Sequence, residues 1–398
     1  MYMAKRAQSE QAPRGNLALI HVCCGQKTLK NLLEMDGLLA CSLRGRIVIS
    51  ADNLHLGLAL KISVLICNYN YADYIALCVE SVLSQSRKPF EIIVVDDGST
   101  DSSLDVLAAY GPQIRICRKS NGGQLSAFIE GIRHCSGDYV FLLDSDDFWL
   151  PEHLAGMTEA IARHDRPDLI FSSAEVVTRD SVRTGKILGA MASNVDVQDL
   201  GYSFLLFRYF PRWRGSQTST LGIKRHALEE ITRKSDASFV NRFRTNADDV
   251  IVLGADLLGF RKLFIASPTV CYRVHGGNAW YQSAWSSQKY YSRYIGHCLI
   301  YDAMVVKSPL NPSDFSGDAF AQEFATKSGV PFQEALLYIK AVLLHGGRRK
   351  TRQILAIVAH WRQFGSTQNR LLKLLLKKSS AAASGVRPGG KAAANTPG

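Results

Sequence analysis

Between residues 61 and 173 the chain alternates five apolar, strand-like runs with four segments of helical spacing. KISVLIC (61–67) leads into NYNYADYIALCVESVLSQS, where Tyr74, Leu77, Cys78 and Val82 recur at helical intervals. EIIVVDDGSTD (91–101) precedes LDVLAAY, and QIRICRK (113–119) precedes NGGQLSAFIEGIRHC. DYVFLLDSDDFW (138–149) precedes PEHLAGMTEAIARH, whose proline suits a first helical turn, and DLIFSS (168–173) closes the series. This alternation predicts an α/β domain with a largely parallel sheet.

In such sheets ligands gather beyond the carboxyl ends of the strands. The first strand ends in Cys67-Asn68-Tyr69, the second in Asp96-Asp97-Gly98-Ser99, the third in Asn121-Gly122-Gly123 and the fourth in Asp144-Ser145-Asp146-Asp147. Five carboxylates therefore converge on one rim. Two carboxylates about 4 Å apart repel by roughly 4 kcal/mol at an effective dielectric near 20. That crowding is tolerable if a cation is shared, if one group keeps its proton, or if the groups splay into water. A solvated turn accounts for either acidic cluster alone, since Asp favours turns and caps. Two clusters ending two parallel strands favour a hard cation, Mg²⁺ or Mn²⁺, held with a substrate phosphate.

The ordered set ISVLICNYN, EIIVVDDGSTD, KSNGGQLSAF, YVFLLDSDD, NADDVIVLGADLLGF and YRVHGGN resembles the inverting family 2 glycosyltransferases with the GT-A fold, over about residues 61–277. The resemblance implies a GT-A-type Rossmann-like domain with a mostly parallel central sheet, followed by a helical C-terminal extension. It implies that Cys67, Asn68, Tyr69 and Asp97 cradle the base and ribose of a nucleotide-sugar, a UDP-sugar foremost, with Asp96 as support. Asp144, Asp146 and Asp147 match the DxD-type motif; Asp144 would contact the nucleotide-sugar, and Asp146 and Asp147 would hold Mn²⁺ or Mg²⁺ on the diphosphate. Asp249 matches the catalytic base, with Asp248 beside it as the fallback, and His275 a late histidine that reaches the metal. The implied acceptor is a saccharide or lipid-linked saccharide of surface polysaccharide synthesis. Asp249 also sits where a carboxylate suits a helix's first turn. The chain departs from the family pattern where Cys67-Asn68 replace a common Pro-Thr, where Phe128-Ile129 replace Arg-Asn, and where Gly254-Ala255-Asp256 stands in place of a common Arg. These leave open a catalytically inactive nucleotide-sugar-binding module. An aspartyl-phosphate hydrolase is disfavoured because Phe148 stands where Thr or Val is wanted. No GxGxxG dinucleotide loop and no Gly-rich nucleotidyltransferase loop is present.

RYFPRWRGSQTSTLGIKR (208–225) places Arg212, Trp213, Arg214 and Gln217 on a loop suited to sugar faces or an anionic acceptor, or equally to an ordinary interface between core and loop. The formal charge is +12, and Arg348, Arg349, Lys350, Arg352, Arg362, Arg370, Lys373, Lys377 and Lys378 fall in 345–378 with no acid among them. Ile354, Ile357, Val358 and Trp361 follow i, i+3, i+4, i+7, so this basic amphipathic helix would either lie on an anionic membrane surface or pack its stripe on its own domain. Nucleic acid is not the expected partner, because the basic run is leucine-rich rather than interleaved with stacking aromatics. Nine cysteines without a CxxC pair read as reduced thiols of a cytoplasmic protein, with peripheral attachment to the inner face of the membrane as an extension of that reading. No run is long enough to span a bilayer. The expected organisation is 1–60 as an N-terminal extension, 61–277 as the glycosyltransferase domain, 278–378 as a basic helical region and 379–398 as a disordered tail.

Overall fold

The computed structural model describes residues 17–19, 41–43, 46–50, 60–189, 195–210, 214–276, 278, 287–305 and 318–366. The chain divides into two units, Met1–Leu60 and Lys61–Gly398. In the first, β1 (Leu17–Leu19), β2 (Cys41–Leu43) and β3 (Arg46–Ser50) form an antiparallel sheet in the order β1-β3-β2. Strands of three to five residues are too short to print a period, which is why 1–60 reads as featureless. Arg212, Trp213 and the tail 379–398 lie outside the described residues.

The second unit runs β4 (Ile62–Asn68), α1 (Ala72–Leu83), β5 (Glu91–Asp96), α2 (Ser103–Ala108), β6 (Arg115–Arg118), α3 (Gln124–Ile132), β7 (Tyr139–Asp144), β8 (Phe148–Trp149), α4 (His153–Arg163) and β9 (Leu169–Val177). It continues with β10 (Arg183–Leu188), β11 (Val197–Gly201), α5 (Phe204–Tyr209), β12 (Leu221–Lys224), α6 (Arg225–Arg233), α7 (Ala237–Arg242), α8 (Ala247–Leu257) and β13 (Lys262–Arg273). Four helices end it: α9 (Ser287–Val305), α10 (Ala319–Phe324), α11 (Phe332–His345) and α12 (Lys350–Phe364). The sheet order is β11-β13-β9-β12-β7-β4-β5-β6, with β10 on β9 and β8 on β13. Along that path β4, β5, β6, β7, β9 and β13 share one direction, while β11 and β12 oppose it. The α/β architecture with a mostly parallel sheet is thus the observed one. Strand β12 is the exception inside it, an antiparallel filler between β7 and β9.

Register decides where the acids meet. Cys67 pairs with Asp144 on one side and Val95 on the other, and Asn68 pairs with Asp96. The ends of β5, β4 and β7 are therefore flush, and their terminal residues share one rim. The fourth strand is shorter than its 138–149 apolar run. Asp147 N–H closes a turn on the Asp144 carbonyl at 3.1 Å, and Phe148–Trp149 leaves to pair with Val270 and Cys271. Asp144 is thus the last residue of β7, and Ser145, Asp146 and Asp147 form the turn that leaves it.

The helical end of the unit is joined to the sheet domain by buried charge. Lys327, fully buried, donates to the carbonyls of Leu200 and Tyr202 and to Ser203. Glu323 accepts from the amides of Leu205 and Leu206 and from Tyr338 at 2.6 Å. Arg214 pairs with Glu334, so it is buried structure and not an acceptor-side cation. Ile357 and Trp361 of α12 are buried on their own unit, which consumes the stripe that could have faced lipid. Arg349, Arg352, Arg362, Leu343, Leu344 and Leu355 remain exposed, and residues 367–378 of the basic segment lie outside the described residues. Among the described residues no helix is long and apolar enough to cross a membrane. The described cysteines Cys67, Cys78, Cys117, Cys135, Cys271 and Cys298 are free thiols.

Candidate active site

The rim opens into a cleft of about 900 Å³, lined among others by Cys67, Asn68, Tyr69, Tyr71, Asp97, Asp144, Asp146, Asp248 and Arg293. Asp96 and Asp97 divide their work. Asp96 is buried and accepts from Asn68 Nδ2 at 3.1 Å and Ser99 N–H at 3.0 Å, so it holds the turn and does not line the cleft. Asn68 likewise faces Asp96 and Ser99. Asp97 lines the cleft, but its oxygens accept from Lys119 Nζ at 2.5 Å, Gly122 N–H at 2.9 Å and Gly123 N–H at 2.7 Å. Gly123 is required twice over. Its φ is +86°, and a Cβ there would lie 2.4 Å from Arg244 Cα.

Carboxylate oxygens of Asp144, Asp146 and Asp147 all lie within 4.8 Å of one another. Asp147 points inward, accepting from Ser219 Oγ at 2.6 Å and Arg273 N–H at 2.8 Å. Asp144 and Asp146 face the cleft. Burial, then the Asp146 charge, pushes the Asp144 carboxyl up to about 8, while burial and the same neighbours hold Asp147 well above the carboxylate range. Three hard oxygen donors crowded in this way fit Mg²⁺ or Mn²⁺, whose charge relieves their repulsion. His275 Nε2 sits 3.0 Å from Asp146 Oδ2, with its ring between Tyr71 and Tyr74. It touches Asp146 but is not one of the three carboxylates that cluster within 4.8 Å of one another. Asn278 fixes that histidine by accepting from its backbone N–H at 2.5 Å.

The late acidic pair splits. Asp248 lines the cleft, whereas Asp249 is buried in the first turn of α8. Asp249 is held from α9: Arg293 donates from Nη2 at 2.7 Å and Nε at 3.1 Å, and His297 Nε2 lies 3.2 Å away. Burial alone would raise the Asp249 carboxyl, but His297 and Arg293 outweigh it and hold it below its ordinary value. Asp248 goes the other way, pushed up to about 7 by burial and then by the Asp249 charge. A carboxyl that titrates near neutrality and faces the cleft suits proton acceptance better than one neutralised by a guanidinium.

The departures Phe128 and Ala255 are both fully buried, and Ile129 is packed against the same core. Apolar packing, not cleft chemistry, accounts for those positions. Sequence reasoning overlooked Gln124, Arg293 and His297. Gln124 is visible in NGGQLSAF but carries no charge to draw notice. Arg293 and His297 sit 44 and 48 residues from Asp249, and only the packing of α9 on α8 brings them there.

Residues 63–232 match the family model described as glycosyl transferase family 2. An uncharacterised glycosyltransferase of Nostoc sp. is 31% identical over 229 residues, covering 55% of this chain and 66% of that protein. A chondroitin synthase of Escherichia coli is 35% identical over 130 residues, covering 32% of this chain and 18% of that protein. The chain thus spans under two thirds of the curated relatives it matches. Among solved structures, Staphylococcus aureus TarS in complex with UDP-GlcNAc has a TM-score of 0.45 at 18% identity, covering 76% of this chain and 81% of that one, and so loose a likeness bears no weight. On the family model and the Nostoc relative, residues 63–232 carry a glycosyl transferase family 2 domain.

Proposed function

We propose that this chain is a metal-dependent inverting glycosyltransferase that moves a sugar from a nucleotide-sugar to a hydroxyl of a saccharide or lipid-linked acceptor. The observation that carries it is one cleft walled by both the Asp144–Asp146 carboxylates and Asp248. The family 2 domain and relatives named as polysaccharide synthases support the choice of chemistry. Asp144 and Asp146 would hold the cation, with Asp147 bracing the turn and His275 orienting Asp146. A divalent cation there supplies neutralising charge for the departing nucleoside diphosphate. Tyr69, Cys67 and the Asp97–Lys119 corner would take the nucleoside end. Asp248 accepts the proton of the acceptor hydroxyl while that oxygen attacks the anomeric carbon, and the bond to the diphosphate oxygen breaks with its electron pair. No covalent enzyme intermediate is required.

A thermal-shift panel of UDP-, dTDP- and GDP-sugars with Mn²⁺ tests donor binding. Saturation at about 100 times Kd adds about 2.7 kcal/mol of stability. That gain should vanish in Asp144→Asn and Asp146→Asn; a wild-type chain indifferent to every nucleotide with Mn²⁺ refutes the reading. The exposed cations Arg349, Arg352 and Arg362, beside Leu343, Leu344 and Leu355, support an anionic membrane surface as a further partner. Co-sedimentation with phosphatidylserine vesicles should fall when these arginines become Gln, and equal pelleting removes that partner.

A further inference from the structure

Gln124, the first residue of α3, lies between the two acidic halves of the cleft. Its Oε1 accepts from Ala247 N–H at 3.1 Å, one residue ahead of Asp248. Its Nε2 donates to Asp144 Oδ1 at 2.8 Å and to Thr218 Oγ1 at 3.1 Å. The backbone of Gln124 adds a fourth tie, its N–H donating to the Arg244 carbonyl at 2.8 Å. The direction of the amide is not arbitrary. A backbone N–H can only donate, so the amide oxygen must sit toward Ala247, and the NH₂ must face Asp144. Both donors and one acceptor position of the side chain are therefore spent on protein groups, leaving Gln124 unsuited to be a main contact for a substrate.

We propose that Gln124 is a positioning residue that locks the Asp144 carboxylate and the Asp248-bearing turn into one register. This rests on the reading of Asp144 as a cation ligand and Asp248 as the proton acceptor. A neutral amide is the fitting donor for the task. It orients Asp144 Oδ1 without placing a second cation where the metal's charge belongs, and its oxygen satisfies an amide at the start of α8 that has no partner within its own helix. The two ends of the strut bear on the two halves of the reaction. One fixes a carboxylate that would hold the cation; the other fixes the distance from there to the base.

The test uses Gln124→Met, near in size but without polar atoms, and Gln124→Glu, which keeps an acceptor for Ala247 N–H but loses the NH₂. Partners that orient a metal ligand typically change metal affinity by about 10–100-fold when removed. Mn²⁺ binding to the full chain, followed by electron paramagnetic resonance, should weaken by about that factor in Gln124→Met and depart from wild type in Gln124→Glu. Hydrogen–deuterium exchange over 244–249 should quicken in Gln124→Met and stay slow in Gln124→Glu. Wild-type Mn²⁺ affinity in both variants, or unchanged exchange in Gln124→Met, overturns the proposal. If Gln124→Met does not fold, Gln124→Glu with wild-type Mn²⁺ affinity overturns it alone. Should the wild-type chain bind no Mn²⁺, the metal reading fails separately, and the exchange comparison still decides whether Gln124 holds the turn.

Discussion

Asp248 and Asp249 are neighbours, yet replacing each with Asn should move stability in opposite directions. The Asp248 carboxyl is pushed up to about 7 by burial and the Asp249 charge. Against an unfolded value near 3.9 that is about three pKa units, or at most about 4 kcal/mol once the group is ionised. Its place on the cleft wall admits solvent, which discounts the figure to about 1–2 kcal/mol. The sign follows from proton counting. Between about pH 4 and pH 7 the folded chain keeps a proton the unfolded chain has lost, so stability falls as pH rises through that window. Asp248→Asn removes the burden and should gain about 1–2 kcal/mol at pH 8, with the gain shrinking toward pH 4. Asp249→Asn instead leaves Arg293 without its carboxylate. Breaking a buried pair costs about 3–5 kcal/mol, and because the Arg293 side chain keeps 21% of its exposure we expect about 2–4 kcal/mol lost. Urea unfolding of both variants at pH 8 and pH 5 gives the stabilities, and sugar transfer is assayed alongside. Asp248→Asn should transfer nothing while remaining folded. Equal stability changes of one sign would refute the electrostatic account, and full transfer by Asp248→Asn with none by Asp249→Asn would return the base to Asp249.

Gly123→Ala should cost several kcal/mol or abolish folding, since it combines a left-handed φ with a Cβ 2.4 Å from Arg244 Cα; a melting temperature within a degree or two of wild type contradicts this. Burial brings the Lys327 ammonium down to about 8, the Glu334 charge only partly opposing it. Above that pH the folded chain sheds a proton that the unfolded chain keeps to about 10.4, so stability should rise with pH in that window. Lys327→Met should flatten the rise, measured by denaturant midpoints between pH 7.5 and 10; an unchanged slope would assign it to another group.

The alternation of apolar runs and helical spacing carried the parallel half of the sheet, because each strand of a crossover unit is bounded by its own local chemistry. The same local chemistry put Asp97 and the Asp144–Asp147 turn at strand ends, where register then made them neighbours. The antiparallel insertion of β12 between β7 and β9 had no such mark, since a four-residue strand is paired by what surrounds it and not by its own pattern. Arg214 stood open between an acceptor contact and a core–loop interface, because its charge is local information and its partner Glu334 is not. The acidic pair of α8 makes the division plainest. That NADDV bears on catalysis is legible in its residues, but which carboxylate faces the cleft depends on where α9 brings Arg293 and His297. A pKa is set by everything within a few ångströms in space, and along the chain those two side chains are more than forty residues away.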